Sequence, residues 1–340
     1  MASRRRQFVV GRAESGRTIS LLLQGRLHLA PDDVNSALMK GAVRINGRTC
    51  CNRSWRVRSG QRVEIRLAGG NDAQAKSRER VPRLEIRYAD AEVVVVEKPA
   101  GLTTMRHGKE AAEFGARAKR FLPSTLADLL PPALARQGSR GPSAVYAVHR
   151  IDKDTSGLVV FARTREAVRS LGKQFREHAI ERTYVAVVRG RAAEGRIESW
   201  LVRDRGDGRR GSSNASREGK RAVTHMRVLE RLSDYTLVEC RLETGRTHQV
   251  RIHLAEAGTP LCGERIYDRP LHGRQAADGS GATRIALHAA TLGINHPKTG
   301  KRLRWSSPLP PDMARLVGRL RERAKAAERA AATTRRRHDD

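Results

Sequence analysis

A group of ionisable and hydroxyl residues stands directly before one of the most apolar runs of the chain. The segment HRIDKDTSG covers residues 149–157, and the apolar run LVVFA follows at 158–162. A loop held by a buried strand commonly carries catalytic side chains, because the strand fixes their positions. Asp152 would be the carboxylate of such a site. The same residue types also suit an ordinary turn in which Asp and Ser satisfy backbone donors, and taken alone they favour this second interpretation.

A second polar cluster spans residues 243–254, with the sequence ETGRTHQVRIHL. We expect a strand to end there, a glycine to turn the chain, and Thr247 to cap a helix that Gly258 closes. Arg246 precedes this helix, so its guanidinium could reach a carboxylate or a phosphate. Ile252 would face inward from the helix.

Several familiar cofactor sites are missing from the sequence. His248 and His253 are five residues apart, which puts them on different faces of a helix, and no HExxH motif accompanies them. Neither a GxxxxGKS or GxxxxGKT phosphate loop nor a strand-linked GxGxxG fingerprint is present. We therefore expect a site without a metal or nucleotide cofactor, which works through side chains alone.

Basic residues dominate the charged composition. Lys and Arg number 67 against 36 Asp and Glu, a formal net charge of +31 over 340 residues. This excess indicates a polyanionic partner, and nucleic acid fits better than a membrane because no apolar run approaches the roughly 18 residues of a spanning helix. The N-terminal MASRRRQFVVGRAES lacks the apolar core of a signal peptide, and four scattered cysteines suggest neither disulfides nor zinc knuckles. We expect a cytoplasmic protein.

The chain length suits two folded domains. Residues 1–66 predict a small α/β unit with two short helices and a hairpin that turns at Asn46-Gly47. This unit carries 14 Arg and Lys against four acidic residues, so we expect it to contact phosphate, with a merely solvated basic surface as the alternative. Its candidate RNA contacts are Arg44, Asn46, Arg48 and Lys40.

A polar linker at residues 67–82 leads to a second domain over 83–315. Short strands joined by tight turns such as Ser233-Asp234 predict a mixed, mainly antiparallel sheet with flanking helices, which is an α+β fold and not a doubly wound α/β fold. Residues 316–340 are a basic tail that can begin as a helix and should be disordered over its last ten residues. Strands are expected at 84–88, 93–96, 157–162, 184–188, 224–229, 236–242 and 285–294, with helices near 164–178 and 247–257.

Three separated motifs together resemble the RluA-type pseudouridine synthase family. HRIDKDTSG at 149–157 is similar to the family's HRLDxxTSG signature, ERTYVAVVRG at 181–190 to its KxYxA strand, and GRTHQVRIHL at 245–254 to its GRTHQIRxHL motif. EKPAGL at 97–102 is a weaker match in the family's order. The resemblance covers roughly residues 84–315.

The resemblance implies an enzyme that converts uridine to pseudouridine in structured RNA without a cofactor. It makes Asp152 the nucleophile, which attacks either the uracil ring or C1′, and so reverses the preference for an ordinary turn. Arg246 would pair with Asp152, and Tyr184 would lie against the uracil and help to remove the C5 proton. Arg150 would fill the gap left by the flipped target base. Further substrate contacts are assigned to Ile252, for which the helix core is an equal alternative, and to His149, Thr155 and Gln249.

Residues 1–66 also resemble the small RNA-binding domain shared with a small-subunit ribosomal protein, best at 34–48 and poorly at 16–22. This module favours large-subunit ribosomal RNA as the target, with transfer RNA as the alternative, and the long connection at 103–143 could alter target choice. Two other functions stay open, a non-catalytic RNA-binding or ribosome-assembly protein and a carboxylate-dependent ribonuclease. We expect the protein to act as a monomer.

Overall fold

The computed structural model describes residues 4–27, 29, 31–39, 41–50, 55–67, 84–106, 123–139, 141–213, 218–269 and 277–339. The chain divides into two compact units, Met1–Pro82 with Phe114–Pro123, and Arg83–Glu113 with Ser124–Asp340. Lys40, almost all of the expected linker and much of the 103–143 connection lie outside the described residues. Within the described part, no helix is long and apolar enough to cross a membrane.

The first unit is a four-stranded antiparallel sheet packed against two helices. Its strands follow the order β1-β4-β2-β3. Buried Val43 and Ile45 alternate with exposed Arg44 along β2. Asn46 and Gly47 have φ values of 50° and 79° and make the left-handed turn into β3 that the sequence predicts. The elements are β1 (Arg4–Val9), a 3-10 turn (Arg12–Glu14), α1 (Ile19–Leu27), α2 (Pro31–Met39), β2 (Val43–Ile45), β3 (Arg48–Thr49) and β4 (Arg62–Leu67).

The second unit is built on one large sheet with helices on its faces. Its strands are β5 (Glu85–Ala89), β6 (Val93–Lys98), β7 (Tyr146–Ala147), β8 (Ser156–Ala162), β9 (Glu181–Arg189), β10 (Gly195–Val202), β11 (Gly211–Ser213), β12 (Lys220–Leu232), β13 (Tyr235–Leu242), β14 (Leu287–Asn295) and β15 (Arg302–Ser306). Its helices are α3 (Leu126–Arg136), α4 (Arg165–Arg176), α5 (Gln249–Glu256) and α6 (Pro311–Asp339).

The sheet of the second unit is mixed but mainly antiparallel. Its strand order is β11-β10-β12-β13-β9-β14-β8-β6-β5, with β15 added to β14 and β7 added to β8. Among the described residues only β8 and β14 run parallel, where Ser156 pairs with His288 and Gly157 with Ala289. The predicted α+β class with a mixed, mainly antiparallel sheet is therefore confirmed.

The apolar runs in β6 and β8 are continuous because both faces of these central strands are covered. Val94 faces the same core as Leu130 of α3, whereas its neighbour Val93 faces the core that contains Leu171 of α4. Successive side chains of a strand point to opposite faces, so one uninterrupted valine run supplies two cores. The result is a central sheet between α3 and α4, with its loops projecting from the strand ends.

The C-terminal helix belongs to the second unit from its first turn. Met313, Leu316, Val317 and Leu320 are buried in a core with Val187 of β9. Their spacing of three and four residues places them on one face of α6. The helix therefore crosses the boundary that the sequence suggests at residue 315. It also continues to Asp339 through the stretch that the sequence predicts to be disordered, because arginine and alanine are strong helix formers.

Gly157 offers a test of the contact between β8 and β14. Its φ is +115°, and a Cβ there would come within 2.3 Å of the Ala289 carbonyl oxygen. Gly157→Ala should therefore lower the free energy of unfolding by about 3 kcal/mol or more, measured by urea denaturation.

Gly258→Ala is the matched control for this prediction. Gly258 also has a positive φ, +77°, but has open space around the position of a Cβ. It should show only the left-handed backbone cost of about 1–2 kcal/mol. Equal losses from both variants would contradict the proposed steric conflict with Ala289.

Candidate active site

Asp152 lies in the loop between β7 and β8, and the loop is anchored by its buried neighbours. Ile151 is 4% exposed, and its backbone carbonyl accepts a 2.8 Å hydrogen bond from the hydroxyl of buried Thr104. The amide of Thr155 donates to the Asp152 carbonyl at 3.2 Å, which closes a tight turn. The Asp152 carboxylate stays 19% exposed at the top of this turn. The loop thus presents one carboxylate from a rigid base.

Lys98, at the end of β6, also supports the loop that carries Asp152. Its ammonium is fully buried and donates to the carbonyl oxygens of Pro99, Leu102 and Lys153 at 2.7–3.0 Å. Burial lowers the pKa of Lys98 to about 7, against the opposing charges of Asp154 and Asp152. This side chain links the EKPAGL segment to the Asp152 loop.

Arg251 of α5 is the cation that faces Asp152. Its NH1 lies 3.5 Å from Asp152 Oδ2, while its Nε and NH2 donate to the two oxygens of Glu264 at 2.8 Å each. Glu264 is fully buried, and it also accepts the amides of Arg265 and Ile266. Burial lowers the pKa of Arg251, but the hydrogen bonds and charge of Glu264 outweigh burial and raise it. The guanidinium is therefore held ionised and fixed in direction.

His248 flanks the carboxylate on the other side. It occupies the N-cap position of α5 with a left-handed backbone, φ 60°. Its Nδ1 lies 2.7 Å from the Tyr267 hydroxyl, and its Nε2 lies 3.8 Å from Asp152 Oδ1. Burial lowers its pKa, so the imidazole is mostly neutral near pH 7. The N-cap is therefore His248 and not the predicted Thr247, and no side-chain hydrogen bond caps the helix.

Tyr184 of β9 is placed relative to the start of β8 by the register of strands β9, β14 and β8. Ala289 of β14 pairs with Tyr184 on one side and with Gly157 on the other. The ring is 9% exposed. Burial raises the pKa of its phenol, the charge of Arg182 lowers it, and the charge of Asp152 raises it further. Tyr184 and Asp152 therefore sit within electrostatic reach of each other.

The sequence analysis expects Arg246 to pair with Asp152, but the structure shows no such pair. Its side chain is exposed, and its Nε donates to the Arg221 carbonyl at 3.0 Å. Arg246 precedes α5, whereas Arg251 and His248 are three residues apart on the face of the helix turn that meets the carboxylate. Arg251 takes the place assigned to Arg246 in the ion pair.

Gln249, Thr155 and Ile252 are buried. Gln249 Oε1 accepts from the Arg246 amide and the Thr244 hydroxyl, and its Nε2 donates to the Val223 carbonyl. Its amide group thus fastens the start of α5 to β12. Thr155 is 1% exposed, and its Oγ1 has no hydrogen-bond partner among the described residues. Ile252 is buried in a small cluster that includes Tyr267.

His149 and Arg150 differ in their surroundings although they are adjacent. His149 Nε2 accepts the Val160 amide at 3.0 Å, and its ring stacks on Phe175 with centroids 4.8 Å apart. Burial lowers the pKa of His149 to about 3, so it is neutral. Arg150, two residues before Asp152 in sequence, is exposed. His149 is therefore a structural neighbour of the loop, and Arg150 is free to meet a ligand.

The candidate RNA contacts of the first unit lie on and around the β2–β3 hairpin. Arg44 is exposed on β2 and Arg48 belongs to β3. Asn46 Oδ1 accepts the Arg62 amide at 2.8 Å, so its side chain joins the turn to β4. Lys40 lies outside the described residues. The described part of the chain contains no cluster of three or more His, Cys, Asp or Glu side chains suited to a metal ion.

Four residues that contact or support Asp152 were not singled out from the sequence. For Arg251 a signal exists, since it lies three residues after His248 on a predicted helix. Lys98 lies in the EKPAGL segment but shows no sign of its three carbonyl partners. Glu264 and Tyr267 follow α5 in an irregular segment, where spacing predicts no contact.

Comparisons with known proteins agree on one family. The model of the RNA pseudouridylate synthase family matches residues 92–256. An uncharacterised RNA pseudouridine synthase, YlyB of Bacillus subtilis, is 38% identical over 83% of this chain and 86% of its own. Ribosomal large subunit pseudouridine synthase D of Xanthomonas campestris is 35% identical over 95% of both chains. Synthase C of Escherichia coli is 32% identical over 91% of this chain and 94% of its own.

A solved structure is similar in fold. Human RNA pseudouridylate synthase domain containing 4 superposes with a TM-score of 0.55 at 24% identity, over 73% of this chain and 95% of that one.

The buried ammonium of Lys98 predicts a pH dependence of stability. Its folded pKa of about 7 lies below the ordinary 10.5. Between these values the unfolded chain binds more protons than the folded one, so stability rises with pH. The unfolding free energy of the wild type should therefore increase from about pH 7 to 10, relative to Lys98→Met, by a few kcal/mol.

Lys153→Met is the control, because Lys153 is an exposed neighbour. Urea denaturation at several pH values gives the three curves. The Lys153 variant should parallel the wild type, and a Lys98 variant that also parallels it would contradict the low pKa.

Proposed function

Because the chain belongs to the RNA pseudouridine synthase family, and is thus an isomerase, we propose that it modifies uridines of large-subunit ribosomal RNA with Asp152 as its catalytic carboxylate. The observation that carries the proposal is the contact of Asp152 with Arg251, whose direction is fixed by Glu264. A partly exposed carboxylate beside a buried, oriented cation is suited to attack on an electron-poor carbon. Tyr184 supplies an aromatic side chain, and the charge of Asp152 adds to burial in raising the pKa of its phenol.

The reaction exchanges one bond of the base for another. The N1–C1′ bond of uridine breaks, the uracil turns, and C5 bonds to C1′; the C5 proton leaves and N1 gains one, so the mass is unchanged. Asp152 attacks the uracil ring or C1′ and is later released. Arg251 keeps the carboxylate pointed at the reacting atom, which supports the reaction through orientation. His248 limits the movement of the carboxylate on the other side.

Tyr184 contributes mainly as a contact surface in this proposal. Burial raises the pKa of its phenol, so the neutral form prevails before RNA binds. A neutral ring can pack on the uracil and hold its plane while the base turns. We propose that the Tyr184 hydroxyl also takes part in the departure of the C5 proton. Removing that proton requires the tyrosinate, which the charge of Arg182 favours.

The target uridine must leave its helix to reach Asp152. Flipping a base costs a few kcal/mol and leaves a gap in the stack. Arg150 is exposed and lies two residues before Asp152 in sequence, so its long side chain can fill that gap. We propose that it does so.

The proposed target follows from the relatives and from charge. Two relatives are named ribosomal large subunit pseudouridine synthases. The first unit carries exposed Arg44 on a strand next to the Asn46-Gly47 turn, which supports RNA contact. Transfer RNA is the alternative target, and mapping of pseudouridines across all RNAs with and without the gene distinguishes the two. We place the enzyme in the cytoplasm, acting as a monomer.

Asp152→Asn should abolish pseudouridine formation while RNA affinity stays within about threefold, because the substitution removes charge but little volume. Formation is measured by chemical mapping of pseudouridine and affinity by filter binding on the same RNA. Residual turnover within about tenfold of the wild type would refute the nucleophile. Cleaved RNA would instead indicate a ribonuclease.

Arg251→Gln and Arg246→Gln separate the two arginines of the α5 segment. Arg251→Gln should lower kcat by about a hundredfold to a thousandfold, which is about 2.7–4 kcal/mol of barrier, because Asp152 loses the cation that orients its carboxylate. Arg246→Gln should change KM more than kcat, since its side chain is exposed. Arg251→Lys, which keeps the charge without the two-pronged bond to Glu264, controls for folding, checked by circular dichroism. A larger kcat loss for Arg246→Gln would reverse the assignment.

A further inference from the structure

Arg182 is a buried cation for which the described residues provide no anion. The residue lies on β9 and is 8% exposed. Its Nε is fully buried without a hydrogen-bond partner, and no carboxylate of the described chain forms an ion pair with its guanidinium. The two terminal nitrogens are not fully enclosed. The group is therefore open to a ligand only at its tip.

The neighbours of Arg182 are neutral or positive. Its guanidinium carbon lies 5.5 Å from the centroid of the Phe175 ring, and Phe175 also stacks on the neutral His149. Burial lowers the pKa of Arg182, the charge of Tyr184 partly opposes this, and the positive charge of Arg246 lowers it further. Together these contacts hold the side chain in one direction without neutralising its charge.

The terminal nitrogen NH1 of Arg182 lies against the backbone of exposed Gly245. A Cβ on Gly245 would come within 2.3 Å of NH1, so the guanidinium reaches the backbone of the loop before α5. Gly245 and Arg246 are both exposed. Tyr184 lies two residues along the same strand and therefore on the same face of the sheet. The charge is thus placed at the edge of the candidate active site.

The contrast with Arg251 shows that this arrangement is unusual for a buried arginine. Arg251 faces two carboxylates, Glu264 and Asp152. An unpaired buried charge is strongly unfavourable, and native chains normally pair it. A guanidinium without an anionic partner in the protein is suited to bind an anion that the ligand brings. Its planar fork of N–H groups matches two oxygens of a phosphate.

We propose that Arg182, with exposed Arg246 above it, binds a phosphodiester group of the RNA next to the flipped uridine. The inference rests on the proposed function for the identity of the ligand. It assigns to Arg182 a positioning task, since a bound phosphate fixes the sugar while the base turns. It also explains why a glycine stands at residue 245, where any side chain would displace the guanidinium.

The experiment compares uridine 3′,5′-bisphosphate with uridine as probes. Binding of each, at millimolar concentration and low salt, is followed by NMR titration of the wild type, Arg182→Gln and Arg169→Gln. The bisphosphate should bind the wild type about tenfold more tightly than uridine, and Arg182→Gln should remove most of that difference. Arg169→Gln removes an exposed charge on α4 and should change nothing. An unchanged preference in Arg182→Gln, or no preference in the wild type, would overturn the proposal.

Two further measurements separate the possible explanations. Removing an unpaired buried cation should leave the melting temperature equal or higher, whereas a purely structural Arg182 would lower it. If Arg182→Gln keeps bisphosphate affinity but moves the pH profile of kcat, the residue acts on Tyr184 and the phosphate site is wrong. Asp152→Asn should bind the bisphosphate normally, so loss of the phosphate site and loss of the proposed reaction are distinguishable.

Discussion

The two-pronged bond between Arg251 and Glu264 is the interaction on which the candidate site depends. Glu264 is fully buried, so its charge has to be matched within the protein, and Arg251 supplies the match from a different segment. The remaining nitrogen of the guanidinium points to Asp152 at 3.5 Å. One cation thus contacts a buried carboxylate that fixes it and a partly exposed carboxylate that it orients. Loss of the first contact would release the second.

Strand register brings the other half of the site to the same place. Ala289 lies between Tyr184 and Gly157, so an antiparallel and a parallel pairing converge on one residue. A one-residue slip would turn Tyr184 to the opposite face of the sheet. Lys98 then ties the loop to the end of β6 through three carbonyls. The aromatic ring and the carboxylate are positioned by backbone contacts and the cation by the Glu264 side chain, so little reorganisation is needed when a ligand arrives.

Some basic residues of the described chain hold the fold together, and others lie near Asp152 without a carboxylate partner. Arg163, for example, is buried and donates to the Pro142 carbonyl, while Arg251 is paired with carboxylates. Arg150 and Arg246 are exposed beside the site, and Arg182 is buried near it without a carboxylate partner among the described residues. Part of the net charge of +31 therefore lies near the candidate site. Basic side chains near Asp152 suit the phosphates that the proposed RNA substrate carries.

Local patterns determine much of this protein from the sequence alone: the apolar run of β8, the Asn46-Gly47 hairpin, the mixed α+β sheet and the motif that contains Asp152. These features depend on residues close together in the chain, where periodicity and turn preferences act. The partner of Asp152 was decided only by tertiary structure. His248 adopts a left-handed conformation and starts α5, which turns Arg251 towards the carboxylate and leaves Arg246 outside. Glu264, distant in sequence from Asp152, then pairs with Arg251, because a buried carboxylate needs a cationic partner. No short-range sequence pattern predicts which cation that partner is.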